Sequence, residues 1–225
     1  MEYILNIHTS IETAIVNICN GQNVIDTVIN KDPKQHSAFL HTAIQNLLLK
    51  NKILANDLKA IGVTSGPGSY TGIRVGLATA KGLCYSLKTP LLTFNTLEVM
   101  AFSAGKTIGN KNSLYCPMID ARRTEVFTAV YTHDMREITP PMALILKEDS
   151  FADLIQLNSI CFFGSGSKKF ENIINKTDAS IFADIEITSE ALARFGYIKY
   201  QKREFTDIIF AEPLYVKEFY SPLKK

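Results

Sequence analysis

The stretch Ala60–Ser86, AIGVTSGPGSYTGIRVGLATAKGLCYS, decides how the rest of the chain is read. Ala60–Thr64 is apolar around one glycine and predicts a short buried strand. Ser65–Tyr70 is a turn, in which Gly66 and Gly68 reach backbone angles closed to other residues and Pro67 fixes one φ between them. Ser69 and Thr71 put hydroxyls where a helix start leaves N–H groups without partners. A long helix follows, with Gly72, Gly76, Ala80 and Cys84 at four-residue spacing on one face. Glycines at 72, 76 and 82 each cost about 1 kcal/mol against Ala inside a helix. Something must offset that cost by approaching closely, and another helix or a phosphate would serve.

The flanking residues supply the frame. Tyr3–Ile7 reads as a strand, His8-Thr9-Ser10 turns out of it, and Thr13–Ile18 and Val24–Ile29 complete an antiparallel meander about the Asn20–Asn23 turn. A helix capped by Ser37 carries Leu40, Ile44, Leu47 and Leu48 on its apolar face. Beyond the central stretch, Leu91–Phe94 is a strand and Thr96 caps a helix to about Ser103. The order β-β-β-α-β-α-β-α predicts a mixed sheet with helices on its faces, the ribonuclease H-like pattern.

A Gly/Asn/Lys-rich break, Gly105–Asn112, marks a boundary, and the second half partly repeats the element order of the first. Leu114–Ile119, Glu125–Tyr131, Met142–Leu146 and Ile160–Phe163 read as strands, Ser150–Leu157 and Ser189–Lys202 as helices, and Gly164-Ser165-Gly166-Ser167 as a second glycine turn. The fold expected is therefore α/β, two ribonuclease H-like domains at residues 1–104 and 105–212, each a mixed sheet flanked by helices, with 213–225 packing back on the first.

At 225 residues, 46% hydrophobic and net charge +2, the chain is large enough for a real core and has no electrostatic footprint for tight unaided nucleic-acid binding. Cys19, Cys84, Cys116 and Cys161 are scattered without a CxxC pair, as in reduced cytosolic proteins. The start MEYILNIHTS has no basic region, which predicts no signal peptide, and no apolar run reaches membrane-spanning length.

GPGSYTGIRVGLATAKGL resembles the signature of the TsaB (YeaZ) family of bacterial threonylcarbamoyladenosine biosynthesis proteins, relatives of the actin/Hsp70/sugar-kinase ATPases. ILNIHTS, Gln35-His36-Ser37, PLLTFNTLEVMA, CPMIDARRTEVFTAVY, FFGSGS and PLYVK fall in the order that family implies, with Lys217 where its closing pattern has Arg. The resemblance implies a non-catalytic subunit in the cytoplasm that activates a catalytic paralogue, TsaD, and works with the ATPase TsaE. Together they place a threonylcarbamoyl group on adenosine 37 of tRNAs reading ANN codons. It implies a TsaD heterodimer, a possible homodimer in isolation, tRNA contact through the complex, and ATP and metal used by the partners.

The residues test that implication at three places. Active superfamily members put a carboxylate after strand one to hold a magnesium-bound phosphate; here stands His8, a poor magnesium ligand, leaving Thr9 and Ser10 as weak phosphate contacts. The paralogue carries a metal-binding HxxxH, whose positions read Thr96 (a cap) and Met100 (core) in this chain, so no metal site is expected. The glycine turn lacks a phosphate-loop lysine. Its helix is read first as a partner interface through Gly72, Arg74, Gly76, Ala80 and Cys84, with Gly66, Pro67, Gly68, Ser69 and Thr71 setting its entry, then as packing on its own sheet, and last as a phosphate cradle. Gly164 and Gly166 are weak nucleotide candidates, and Asp120, Arg122, Arg123 and Glu125 read as a solvated turn with an internal salt bridge or else a TsaE or tRNA contact. No catalytic residue is assigned. The rival readings are an ATP-dependent phosphotransferase and a metallopeptidase-like enzyme on the same fold.

Overall fold

The computed structural model describes residues 1–32, 35–174 and 177–217, apart from the side chains of His36 and Ser37; of the segment 213–225, residues 218–225 lie outside the described residues. Two five-stranded sheets organise it. The first has the order β3-β2-β1-β4-β5, from β1 (Tyr3–His8), β2 (Ala14–Asn20), β3 (Asn23–Asn30), β4 (Leu58–Gly66) and β5 (Leu91–Asn95). The second repeats that order as β10-β9-β6-β7-β8, from β6 (Ser113–Asp120), β7 (Glu125–Tyr131), β8 (Glu137–Ile145), β9 (Ser159–Phe163) and β10 (Ser180–Ala183). In each sheet the first three strands pair antiparallel and the rest add in parallel. This is the doubled ribonuclease H-like α/β fold expected from the element order.

Alternation along the strands sends side chains to different layers. In β1, Leu5 and Ile7 join Val63 of β4 in a core with Leu40, Ile44 and Leu47 of α1 (His36–Lys50) and Leu77, Ala80 and Cys84 of α2 (Tyr70–Leu87). Ile4 faces the other way, into a second core shared by Leu97, Met100 and Ala101 of α3 (Thr96–Ile108) and Leu192 and Phe195 of α6 (Ser189–Gln201). That core also takes Tyr115, Ile119 and Tyr131 from the second sheet. The far face of the second sheet packs Phe162 against Phe170 of the short α5 (Ser167–Glu171), with α4 (Ala152–Leu157) contributing the half-buried Leu154 and Ile155. The layers run α1/α2, first sheet, α3/α6, second sheet, α4/α5.

Helix α3 of the middle layer runs through the boundary expected at 104/105. Helix α3 continues to Ile108 with Gly109 as its left-handed C-cap, so Gly105 lies inside the helix and not in the break. Helix α6, assigned from sequence to the second unit, packs on the first sheet. Asn17 Nδ2 donates to the Ser189 carbonyl at 2.9 Å, Asn6 Nδ2 donates to Asn17 Oδ1 at 2.9 Å, and Tyr197 donates to Glu2. A side chain at Gly196 would collide with Asn6. Two cap assignments also move. Gln35, not Ser37, stands at the N-cap position of α1, and Asn95, not Thr96, caps α3 by accepting from the Leu97 N–H.

Burial pushes the Cys19 and Cys161 thiols up to about 11 and those of Cys84 and Cys116 to about 12. All four are buried and unbonded to one another. A thiol-specific reagent at pH 8 is therefore expected to label none of them in the folded chain and all four in guanidinium; rapid labelling of the native protein would contradict these cores.

Candidate functional site

The glycine turn joins β4 to α2 and lies against the loop that leaves β1. Ser69 is the N-cap of α2: its side chain accepts from the Gly72 N–H at 3.3 Å, while Thr71 lies within the helix and is exposed. Gly66 and Gly68 have φ of 117° and 151°, angles that favour glycine. A Cβ at Gly68 would also strike the Ser10 carbonyl oxygen, which accepts from the Ser69 N–H at 2.7 Å.

The hydroxyls that were weak phosphate candidates are used inside the protein. Thr9 Oγ1 donates to the Gly72 carbonyl at 2.7 Å. Ser10 Oγ donates to Thr64 Oγ1 at 2.5 Å, and His8 Nδ1 lies 3.0 Å from the same Thr64 oxygen. His8, Thr9 and Ser10 are each fully buried. His8 is the last residue of β1 and not a loop residue. The space in which a nucleotide's phosphates would meet a helix start is thus occupied by the β1–β2 loop, and these residues do not fit a nucleotide there.

The same contacts correct the reading of the small-residue stripe. Gly72, Gly76, Ala80 and Cys84 face inward. A methyl at Gly72 would strike the Thr9 carbonyl oxygen, and one at Gly76 would strike Thr9 Oγ1 with Val63 and Ile7 behind it. Close approach offsets the glycine cost, as the spacing implied, but the approaching body is the protein's own sheet and loop. Of the five proposed interface residues only Arg74 is exposed. The solvent face of α2 carries Tyr70, Thr71, Arg74, Ala78, Gly82 and Tyr85.

The other candidates are equally committed. Thr96 and Met100, at the metal-pair positions, are buried, and Met100 Cε touches the space a Gly164 side chain would fill. Among the described residues no cluster of three His, Cys, Asp or Glu is arranged for a metal. Gly164 has φ of 93°, the Gly166 N–H donates to the Met118 carbonyl at 2.9 Å, and a Gly166 side chain would strike Val126. This second glycine turn is packed on β6.

Among the described residues, Asp120, Arg122, Arg123 and Glu125 form no salt bridge with one another. Asp120 pairs outward with Lys169 at 2.6 Å, and Glu125 pairs with Lys217 of the C-terminal segment. That segment runs back over the first sheet. The Leu214 N–H donates to the Ser65 carbonyl at 2.8 Å, Arg74 Nε donates to the Tyr215 hydroxyl at 2.8 Å, and the rings of Tyr70 and Tyr215 stack 5.7 Å apart. Between the hairpin, the glycine turn and this segment lies a cleft of about 570 Å³. Sequence reasoning missed it because its walls come from three remote stretches.

The two classes of helical glycine predict opposite mutational signs. Gly72→Ala is expected to destabilise by about 3 kcal/mol through its clash with Thr9. Gly82→Ala, with nothing within 4 Å, is expected to stabilise by about 1 kcal/mol. Guanidinium unfolding of both variants checks the pair, and equal shifts would refute the inward packing of the stripe.

Known proteins bear on this geometry. Residues 24–198 match the family described as TsaD: tRNA N6-adenosine threonylcarbamoyltransferase. The chain is 33% identical over 148 residues to the Bacillus subtilis tRNA threonylcarbamoyladenosine biosynthesis protein TsaB, covering 64% of this chain and 63% of that relative, less than two thirds of its length. It has the fold of an uncharacterized Pseudomonas aeruginosa protein described as similar to peptidase YEAZ, with a TM-score of 0.84 at 22% identity over 96% of this chain and 100% of that one. It shares its fold more distantly with an inorganic polyphosphate/ATP-glucomannokinase from Arthrobacter, with a TM-score of 0.53 at 10% identity over 90% of this chain and 100% of that one. With two sheets of one order and a family match over residues 24–198, more than half its length, the chain belongs to the tRNA N6-adenosine threonylcarbamoyltransferase family.

Proposed function

We propose that this chain is the non-catalytic partner and activator of TsaD in forming N6-threonylcarbamoyladenosine at position 37 of tRNAs that read ANN codons. One observation supports the reading: Thr9 and Ser10, in the loop that leaves β1, spend their hydroxyls inside the protein on Gly72 and Thr64. A subunit built this way contributes by binding, raising the population of its partner's competent conformer. ATP and metal chemistry then belong to the partner subunits, TsaE included, and the setting is the cytoplasm. Among the described residues no helix is long and apolar enough to cross a membrane.

The surface that supports pairing is the outer face of α2, not the inward stripe. Arg74, Ala78, Gly82 and Tyr85 lie along it, with Tyr85 81% exposed. Ile209 and Phe210, 80% and 79% exposed, follow Ile208, which lines a groove with Tyr85 beyond the end of the helix. Small residues flanked by exposed apolar ones admit a partner helix at close range. The same face would hold a second copy when TsaD is absent.

Two measurements test the proposal. Reconstituted threonylcarbamoyladenosine synthesis is expected to require this chain; equal product without it would end the reading. Ala78→Arg, on an exposed helix position, is expected to leave the thermal unfolding midpoint near wild type. The same variant should weaken the TsaD heterodimer at least tenfold in size-exclusion or calorimetric titration. An undiminished heterodimer would remove this face from the interface.

A further inference from the structure

We propose that the cleft beside the 121–125 hairpin binds a single-stranded segment of RNA, with Arg122 and Arg123 meeting its phosphates and the exposed ring of Tyr215, held in place by Tyr70 and Arg74, receiving a base. The proposal rests on the tRNA-modification reading above and adds a site to it. The cleft is about 570 Å³ and is lined by Gly68 and Tyr70 of the first half, residues 121–125, Phe127 and Ile145 of the second, and Tyr215 and Lys217 of the returning segment.

Its charge is local and one-sided. Among the described residues, Arg122, Arg123 and Lys217 line it against one carboxylate, Glu125, with which Lys217 already pairs. Among the described residues neither the Arg122 nor the Arg123 side chain has a hydrogen bond or ion pair. Both arginines also sit in the left-handed region, with φ of 71° and 50°, where Gly or Asn is the easy residue. A turn that holds two arginines there forgoes its best local sequence and gains two guanidiniums at the cleft mouth.

The aromatic wall gives the ligand its second property. Tyr70 and Tyr215 are 39% and 46% exposed, and their rings lie within 25° of parallel. Arg74 fixes both, with its guanidinium carbon 3.8 Å from the Tyr70 ring centre and its Nε bonded to the Tyr215 hydroxyl. Fixed aromatic edges beside unpaired cations suit a strand that presents a phosphate and a flat base at each step. An acidic peptide would use the arginines and leave the tyrosines idle, so RNA is the occupant the site favours. With the whole chain at net charge +2, the site adds to RNA binding by a complex and does not make this subunit a tight binder alone.

The test uses the full chain and its Arg122→Asn/Arg123→Gly variant, which keeps residues suited to the left-handed turn and removes both charges. The probe is a fluorescein-labelled single-stranded RNA of about 12 nucleotides, followed by anisotropy at several salt concentrations. Wild type is expected to bind. The variant is expected to bind at least tenfold more weakly, with a log–log salt slope shallower by about 1.4, the loss of two single-strand phosphate contacts. Tyr215→Ala is expected to weaken binding with the slope unchanged. Equal affinity and slope for wild type and the double variant overturn the proposal. So does arginine-dependent binding of a labelled poly-glutamate peptide without RNA binding, and so does displacement of the RNA by micromolar AMP or ATP, which would make the ligand a free nucleotide. Reconstituted modification run in parallel separates the two claims. A chain that supports modification but shows no arginine-dependent RNA binding refutes only the cleft. A chain that binds RNA as described but is dispensable for modification refutes only the activator reading.

Discussion

The carbonyl of Ser10 is the contact on which the first half depends. It accepts the Ser69 N–H and occupies the space beside Gly68. An N–H at the start of a helix is otherwise an anion's natural partner. Here a backbone oxygen takes that place, and two consequences follow. Helix α2 is drawn onto β1 and β4 so closely that only glycine fits at 72 and 76. The hydroxyls of Thr9 and Ser10 turn inward to satisfy Gly72 and Thr64. The inward turn of Thr9 and Ser10 and the unusual glycine content of the helix arise from one close approach.

The second half repeats the device. Its sheet has the same order and pairing as the first, and its glycine turn after β9 is bonded to β6, through Gly166 and Met118, as the turn after β4 is bonded to the loop of β1. Asp120 ends β6 as His8 ends β1, and its carboxylate lies against Lys169, whose ammonium holds it below the usual carboxylate range against the opposing effect of partial burial. Both halves therefore close on themselves. The helices that end each half, α3 and α6, form the layer between the sheets, and the shared core of Phe94, Phe102 and Phe195 belongs to neither half alone.

Much of this was legible in the sequence. The element order and the strand–glycine turn–helix were readable because each depends on residues close together in the chain. The stripe was readable as a stripe but not as to its direction. Spacing of four places Gly72, Gly76, Ala80 and Cys84 on one face, yet Ala78 and Gly82 put small residues on the opposite face as well. Only the positions of Thr9 and Val63 tell which face is covered. Strand β8 ran further than read because Pro140 and Pro141 look like a break, whereas an edge strand tolerates them. Strand β10 is four residues long and carries too little pattern to detect. The cleft had no sequence signal, since Gly68, Arg122 and Tyr215 meet only after both sheets have formed.

The returning segment decides how firmly the cleft walls are held together. Its three attachments differ in strength. Lys217 with Glu125 joins it to the hairpin, but the lysine is 49% exposed, and such surface pairs contribute about 0–1 kcal/mol. The backbone bond from Leu214 to Ser65 and the Tyr215 contacts with Tyr70 and Arg74 combine a hydrogen bond, ring stacking and a cation over a ring face, terms of about 1 kcal/mol each. The segment is therefore anchored to the first half and only lightly tied to the second.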